Sequence, residues 1–257
     1  TYIVSESNWE HVFEANDDLF FVGHDFLLYM WDTQEKVERW KKYQHAKLLW
    51  CFERIDAIFM QWRQKSHYSL AMASQFMDKI FACDEDDCDN YGFPWLPQWG
   101  SCKFYDQRDT PITNEGILFS GQAGKPEYRP RTELLMSMQQ DDVFKSKIKV
   151  TNVDRTLGWD DYVSNLLSYK TILNPYGVLR ALNTRAYEVL YSGRLLLQHE
   201  YGGKYKRHRE LLEQYSNVIF FSDLSDLKIK IKSQSVVDSA DAFTKNSLLA
   251  RLDLIQS

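Results

Sequence analysis

The feature that most constrains this chain is the steady alternation of short apolar runs with helix-like stretches. "TYIVSE", "DLFFVG", "AKLLWCFE" and "KIFACD" in the first half read as strands, as do "GILFSG", "KIKVTNV", "TILN", "RLLLQ" and "NVIFF" in the second. Segments of helical composition lie between them, such as "DAIFMQWRQKSHYSLAMASQ", "PRTELLMSMQQ" and "WDDYVSNLLSYK". A strand buried on both faces is apolar throughout, and such strands separated by helices build a parallel sheet covered on both sides. The pattern predicts an α/β fold made of two tandem, doubly wound units.

The alternation lapses between about Gly92 and Asn114, where "GFPWLPQWGSCKFYDQRDTPITNEG" combines Trp, Pro and Gly with little periodicity and reads as a connector. This places a Rossmann-like N-terminal domain at 1–114, a second Rossmann-like domain at 115–238 and a closing amphipathic helix at 239–257. The chain has 257 residues, enough for two domains of ordinary size. In doubly wound sheets ligands bind outside the carboxyl ends of the strands. Candidate chemistry is therefore sought in the loops after "DLFFVG", "AKLLWCFE", "GILFSG" and "TILN".

Charge and cysteine content narrow the class. The formal net charge is −5, so the composition does not advertise a nucleic-acid groove, which weighs against a DNA or RNA substrate without excluding one. No run of 18 or more apolar residues occurs, and the start "TYIVSESNWEHVFE" lacks a signal-peptide layout. The expectation is a cytoplasmic protein with no transmembrane segment. Cys51, Cys83, Cys88 and Cys102 do not form paired CxxC knuckles, which points to reduced thiols and away from structural zinc. Within "CDEDDCDNYG", Asp84, Glu85 and Asp86 formally match a DxD cation-binding pattern. Acidic runs of this kind are usually solvated loops, and no metal site is expected.

The quieter stretch "LNTRAYEVLYSGRLLLQ" is better placed. Ala186, Val189 and Leu190 recur at helical spacing and mark a buried face. Asn183 or Thr184 suits the N-cap, and the free N–H groups of that helix end favour an anion such as a diphosphate. Arg185 in the first turn adds a charge-assisted donor, and Glu188 one turn later can accept from ribose hydroxyls. The competing reading is a simple surface ion pair between Arg185 and Glu188.

This stretch resembles the nucleotide-binding motif in the C-terminal half of GT-B glycosyltransferases, in particular the spore-maturation, CgeB-like group. Arg185, Tyr187, Glu188 and Gly193 fall on the pattern. "GILFSGQ" followed by "YRPRTELL" looks like the first strand, glycine loop and Arg-bearing helix of that half, and "YVSNLLSYKTILNPYG" resembles the segment before the motif. "AFTKNSLLARLDLI" is similar to the closing helix, which in such enzymes crosses back toward the N-terminal domain. The resemblance implies a metal-independent glycosyltransferase that uses a UDP-type nucleotide-sugar as donor substrate and needs no other cofactor. It implies a donor site formed by Gly121, Arg129, Arg131, Asn174, Tyr176, Asn183, Thr184, Arg185 and Glu188. Retaining relatives carry an earlier Glu that contacts the donor sugar, and Arg180 stands at that position here. His24 and Asp25 after "DLFFVG", and Glu53 after "AKLLWCFE", are the candidate catalytic residues at strand ends. The acceptor is a glycan, a small molecule or a modified DNA base, and the alternative outside enzymology is a non-catalytic nucleotide- or sugar-binding module.

Overall fold

The computed structural model describes residues 19–23, 33–44, 46–52, 54–55, 74–154, 156–176, 183–200, 206–231, 239–247 and 250–251. The chain divides into two compact units, Thr1–Pro97 and Gln98–Ser257. Both are mixed α/β structures built on a parallel sheet.

In the first unit, strands β1 (Leu19–Gly23), β2 (Ala46–Cys51) and β3 (Lys79–Ala82) lie side by side in chain order. Helix α1 (Gln34–Lys42) starts at Thr33, whose side chain accepts from Lys36 N, and it buries Trp40. The Trp40 indole N–H donates to Phe76 O at 3.1 Å. The acidic run is not the solvated loop its composition suggests. It forms helix α2 (Glu85–Tyr91), with Asp84 as N-cap, and Asp84, Glu85 and Asp87 are all buried. Asp87 Oδ2 accepts from Ile55 N at 2.7 Å, and Gly92 at φ 69° ends the helix. Carboxylates suit the amide-rich start of a helix, which is why this run folds inward. All four cysteines are free thiols. Burial pushes Cys51 up to about 12 and Cys83 well above the ordinary thiol value, so both stay protonated and unreactive.

The connector splits between the units. Pro94 to Leu96 continue the first sheet beyond β3, where Ala82 N donates to Pro94 O and Leu96 N to Ala82 O. Residues from Gln98 onward belong to the second unit, so the division falls earlier than the boundary at 114/115 read from the sequence. Short helix α3 (Lys103–Asp106) carries Phe104, which is fully buried among Val163, Tyr187 and Tyr191.

The second unit holds β4 (Asn114–Ser120), α4 (Arg129–Gln140), β5 (Ile148–Thr151), α5 (Trp159–Ser168) and β6 (Tyr169–Asn174). These are followed by α6 (Thr184–Tyr191), β7 (Leu195–His199), α7 (Lys206–Leu212), β8 (Val218–Phe221), α8 (Leu224–Lys230) and α9 (Ser239–Asn246). Its five strands run parallel in the order β5-β4-β6-β7-β8. Successive residues serve opposite faces. Ile117 and Phe119 pack with Leu135 and Leu227 from α4 and α8, whereas Leu118 packs with Val163 and Leu190 from α5 and α6. Helices therefore cover both faces, and the strand order reverses between β4 and β6. That reversal is the switch point where doubly wound sheets open a crevice.

Helix α6 was expected to bury one face. Ala186 through Tyr191 are all buried instead, because α3 and α9 pack on the side turned away from the sheet. Phe243 of α9 stacks on Tyr105 at 4.2 Å and meets Tyr191 edge-on at 5.2 Å. The Tyr191 hydroxyl donates to Asn246 O at 2.6 Å and accepts from Gly100 N at 3.4 Å. Among the described residues, no helix is long and apolar enough to cross a membrane.

At the opposite end of the sheet from the switch point, Arg194 is 6% exposed. Its guanidinium donates to the carbonyls of Leu167, Arg108, Ser192 and Thr110. It thereby joins the end of α5, the turn after α3 and the end of α6. Arg194→Met should lower the free energy of unfolding in urea by about 3 kcal/mol, because buried carbonyls lose their donors. Arg194→Lys should restore only part of that loss, since one ammonium cannot serve carbonyls spread around a planar fork.

Candidate functional site

The switch point is built from the last residues of neighbouring strands. Ser120 on β4, Asn174 on β6 and Gln198 on β7 are each 1% exposed. Asn174 and Gln198 are paired in register, and strand alternation turns all three side chains toward the α6 face. Asn174 Nδ2 donates to Gln198 Oε1 at 2.7 Å, which leaves Asn174 Oδ1 to accept from Arg185 Nη1 at 3.4 Å. Polar groups buried in this way are normally all paired. Ser120 Oγ has no hydrogen-bond partner, and neither do Arg185 Nε and Asn183 Oδ1, two buried atoms at the start of α6.

Arg185 is half-buried and lies across the backbone of Gly121. A Cβ at that position would collide with Arg185 Nη2, and Gly121 has φ +154°. The residue must be glycine for the guanidinium to rest there. The group also sits over the Phe119 ring at 5.2 Å. Asn183 occupies the N-cap position of α6, but its side chain makes no cap hydrogen bond, unlike the cap expected of it. Thr184 is exposed beside it.

Glu188 is not on a solvent face. It is 4% exposed, and its Oε2 accepts from Tyr162 Oη of α5 at 2.7 Å. Burial raises its carboxyl above the usual carboxylate range, against the opposing pull of the Tyr162 hydrogen bond, the Arg185 charge and Thr184. Gly100 presses on the helix at this point, and a Cβ there would stand 2.8 Å from Glu188 N. A surface Arg185–Glu188 ion pair is therefore not what the structure holds.

The other predicted residues divide in two ways. Arg131 on α4 is 7% exposed, and its Nη1 donates to Gln122 O at 2.7 Å while its Nε reaches Tyr176 O at 3.4 Å. It braces the loop after β4 against the loop after β6. Tyr176 contributes that carbonyl, and its ring lies 6.2 Å from His199. Arg129 points away into an exposed ion pair with Glu133 at 2.7 Å. His24, Asp25, Glu53 and Arg180 lie outside the described residues. Thus Gly121, Asn174, Asn183, Thr184, Arg185 and Glu188 come together, Arg131 and Tyr176 support them, and Arg129 does not join them.

Reading the sequence missed Ser120, Tyr162, Gln198 and His199. Ser120 and Gln198 carried a signal, as polar residues closing apolar strands. Tyr162 carried none. His199 Nε2 lies 3.1 Å from Ser222 O, an acceptor only, so that nitrogen bears the proton, and burial holds the ring below the ordinary histidine value. Among the described residues, no group of three or more His, Cys, Asp or Glu is placed to hold a metal ion. No protein-family model matches the chain, and no curated protein matches it significantly.

Two outcomes follow from this geometry. Gly121→Ala should displace the flexible end of Arg185 with little loss of fold, so the thermal midpoint should fall by only a few degrees, about 1 kcal/mol. Glu188→Gln tests the buried carboxyl. A carboxyl raised on folding stabilises the fold below its unfolded value and loses that contribution as pH rises through the folded value. Glu188→Gln should therefore unfold at a higher temperature than the wild type at pH 7, with the gap closing as the pH falls from the raised folded value toward the ordinary glutamate value.

Proposed function

We propose that the second unit binds the diphosphate of a nucleotide-sugar at the β4–β6 switch point, and that the chain transfers the sugar to an acceptor hydroxyl as a GT-B type glycosyltransferase. The observation that carries the reading is the Arg185 guanidinium resting on Gly121 with its Nε unpartnered, together with two further orphaned atoms, Ser120 Oγ on the residue preceding Gly121 and Asn183 Oδ1 at the N-cap of the helix that carries Arg185. Two of these groups donate and one accepts. A ligand that offers both anionic oxygens and hydroxyls meets all three, as a nucleotide-sugar does and a sulfate ion does not.

The residues have distinct work in this reading. Arg185 and the amide end of α6 stabilise the negative charge that builds on the leaving nucleoside diphosphate. Gly121 leaves the space in which the Arg185 guanidinium rests against the backbone after β4. Asn174, held by Gln198, keeps Arg185 in place. His24, Asp25 and Glu53 remain the candidates for activating the acceptor hydroxyl. The assignment of glycosyl transfer rests on the resemblance of "LNTRAYEVLYSGRLLLQ" and its flanks to GT-B enzymes. Binding without transfer is the second reading, favoured by the position of Glu188 beneath Tyr162, away from a ligand's hydroxyls.

Calorimetry with nucleoside diphosphates and a panel of nucleotide-sugars tests both. Arg185→Ala should weaken binding at least about tenfold, the scale of one lost charge-assisted hydrogen bond. Arg129→Ala should leave affinity unchanged. A wild-type chain that binds none of these ligands overturns the proposal. A chain that binds them but neither transfers nor hydrolyses any sugar leaves the second reading standing.

A further inference from the structure

The buried cluster beside the switch point joins three ionisable groups through one helix turn. Arg185 rests on Gly121 and Asn174 at the switch point, Glu188 lies one turn further along α6, and Tyr162 reaches in from α5 to donate to Glu188 at 2.7 Å. The groups acting on Glu188 are Tyr162 from α5, to which Arg185 also bonds, and Arg185, Thr184 and Tyr191 from its own helix. From the other side, Gly100 presents only backbone, and Arg251 lies over the Tyr187 ring at 5.9 Å. Glu188 is thus the negative charge that balances Arg185 at this site. A phosphate arriving at Arg185 supplies that balance itself. It also places a second negative charge near a carboxylate that is 4% exposed and has little water to screen it.

We propose that binding of an anionic ligand at the β4–β6 switch point is accompanied by uptake of a proton at Glu188, and that Tyr162 sets the pH at which this happens. The inference rests on the anion-binding reading given above and adds the regulation of that site by pH. The linkage has a fixed sign. Burial already raises the Glu188 carboxyl above its ordinary value, and an approaching anion raises it further. The proton comes from solvent, so affinity grows as pH falls through this window. Tyr162 opposes the change, because its hydroxyl donates to the ionised form of Glu188.

The test is calorimetry of the full chain with UDP-glucose and GDP-mannose, whose diphosphate diesters do not titrate between about pH 5 and 8. Each titration is run in two buffers of different ionisation enthalpy, which yields the number of protons taken up. Wild type should take up a fraction of a proton that rises toward one per site as pH is varied across the window. Glu188→Gln should lose this component, and any uptake from His199 cancels in the comparison. Tyr162→Phe should move the uptake maximum to higher pH, since Glu188 loses a bond that favours its charged form. Binding by the wild type with no Glu188-dependent proton uptake overturns this inference and leaves the nucleotide reading intact. A wild type that binds neither ligand at any pH overturns both.

Discussion

The second unit is organised around the burial of both sides of helix α6. The sheet takes one side through β6 and β7, and α3 and α9 take the other. A short helix between two layers has no solvent face on which to place charge. Glu188 is consequently drawn inside and needs Tyr162, while Arg185 escapes only because the first turn lies at the rim of the sheet. The aromatic packing of Tyr191, Phe243 and Tyr105 is what holds this arrangement closed.

Much of the fold was legible because the strands announce themselves. A short run such as "GILFS" or "RLLLQ" is apolar on consecutive residues, as a strand buried on both faces requires. The observed β4 and β7 coincide with those runs, and the helix at 184–191 lies where its periodicity put it. The acidic run misled for a physical reason. Composition suggests solvation, but Asp84 satisfies a helix start and Asp87 satisfies Ile55 N, so the carboxylates are held by backbone amides. Periodicity also reports only whether a residue packs, and cannot count the layers around it. Glu188 was placed on the correct helix and the wrong side of the solvent boundary for that reason.

The site was legible in part. Asn174, Gly121 and Arg185 are met as a unit because each closes a strand or opens a helix at the same edge of the sheet. Arg129 and Arg131 stand two residues apart, yet one faces solvent and the other braces two loops, a distinction set by helix phase on α4. Tyr162 comes from a helix far from the motif in sequence, and only the folded chain brings its hydroxyl to Glu188. Ser120 and Gln198 show how such partners become visible, as polar side chains where an apolar strand would end more cheaply without them.

The early division of the chain at Pro97/Gln98 has a practical corollary for dissecting it. A fragment cut at the apparent connector end, near residue 115, would discard Phe104 and leave its place in the core unfilled. It would also remove the Arg108 and Thr110 carbonyls that Arg194 bonds and the Gly100 amide that reaches Tyr191. The sixteen or so residues that look like a tether by composition are a scaffold strap for the second unit, to be kept with it in any excised form.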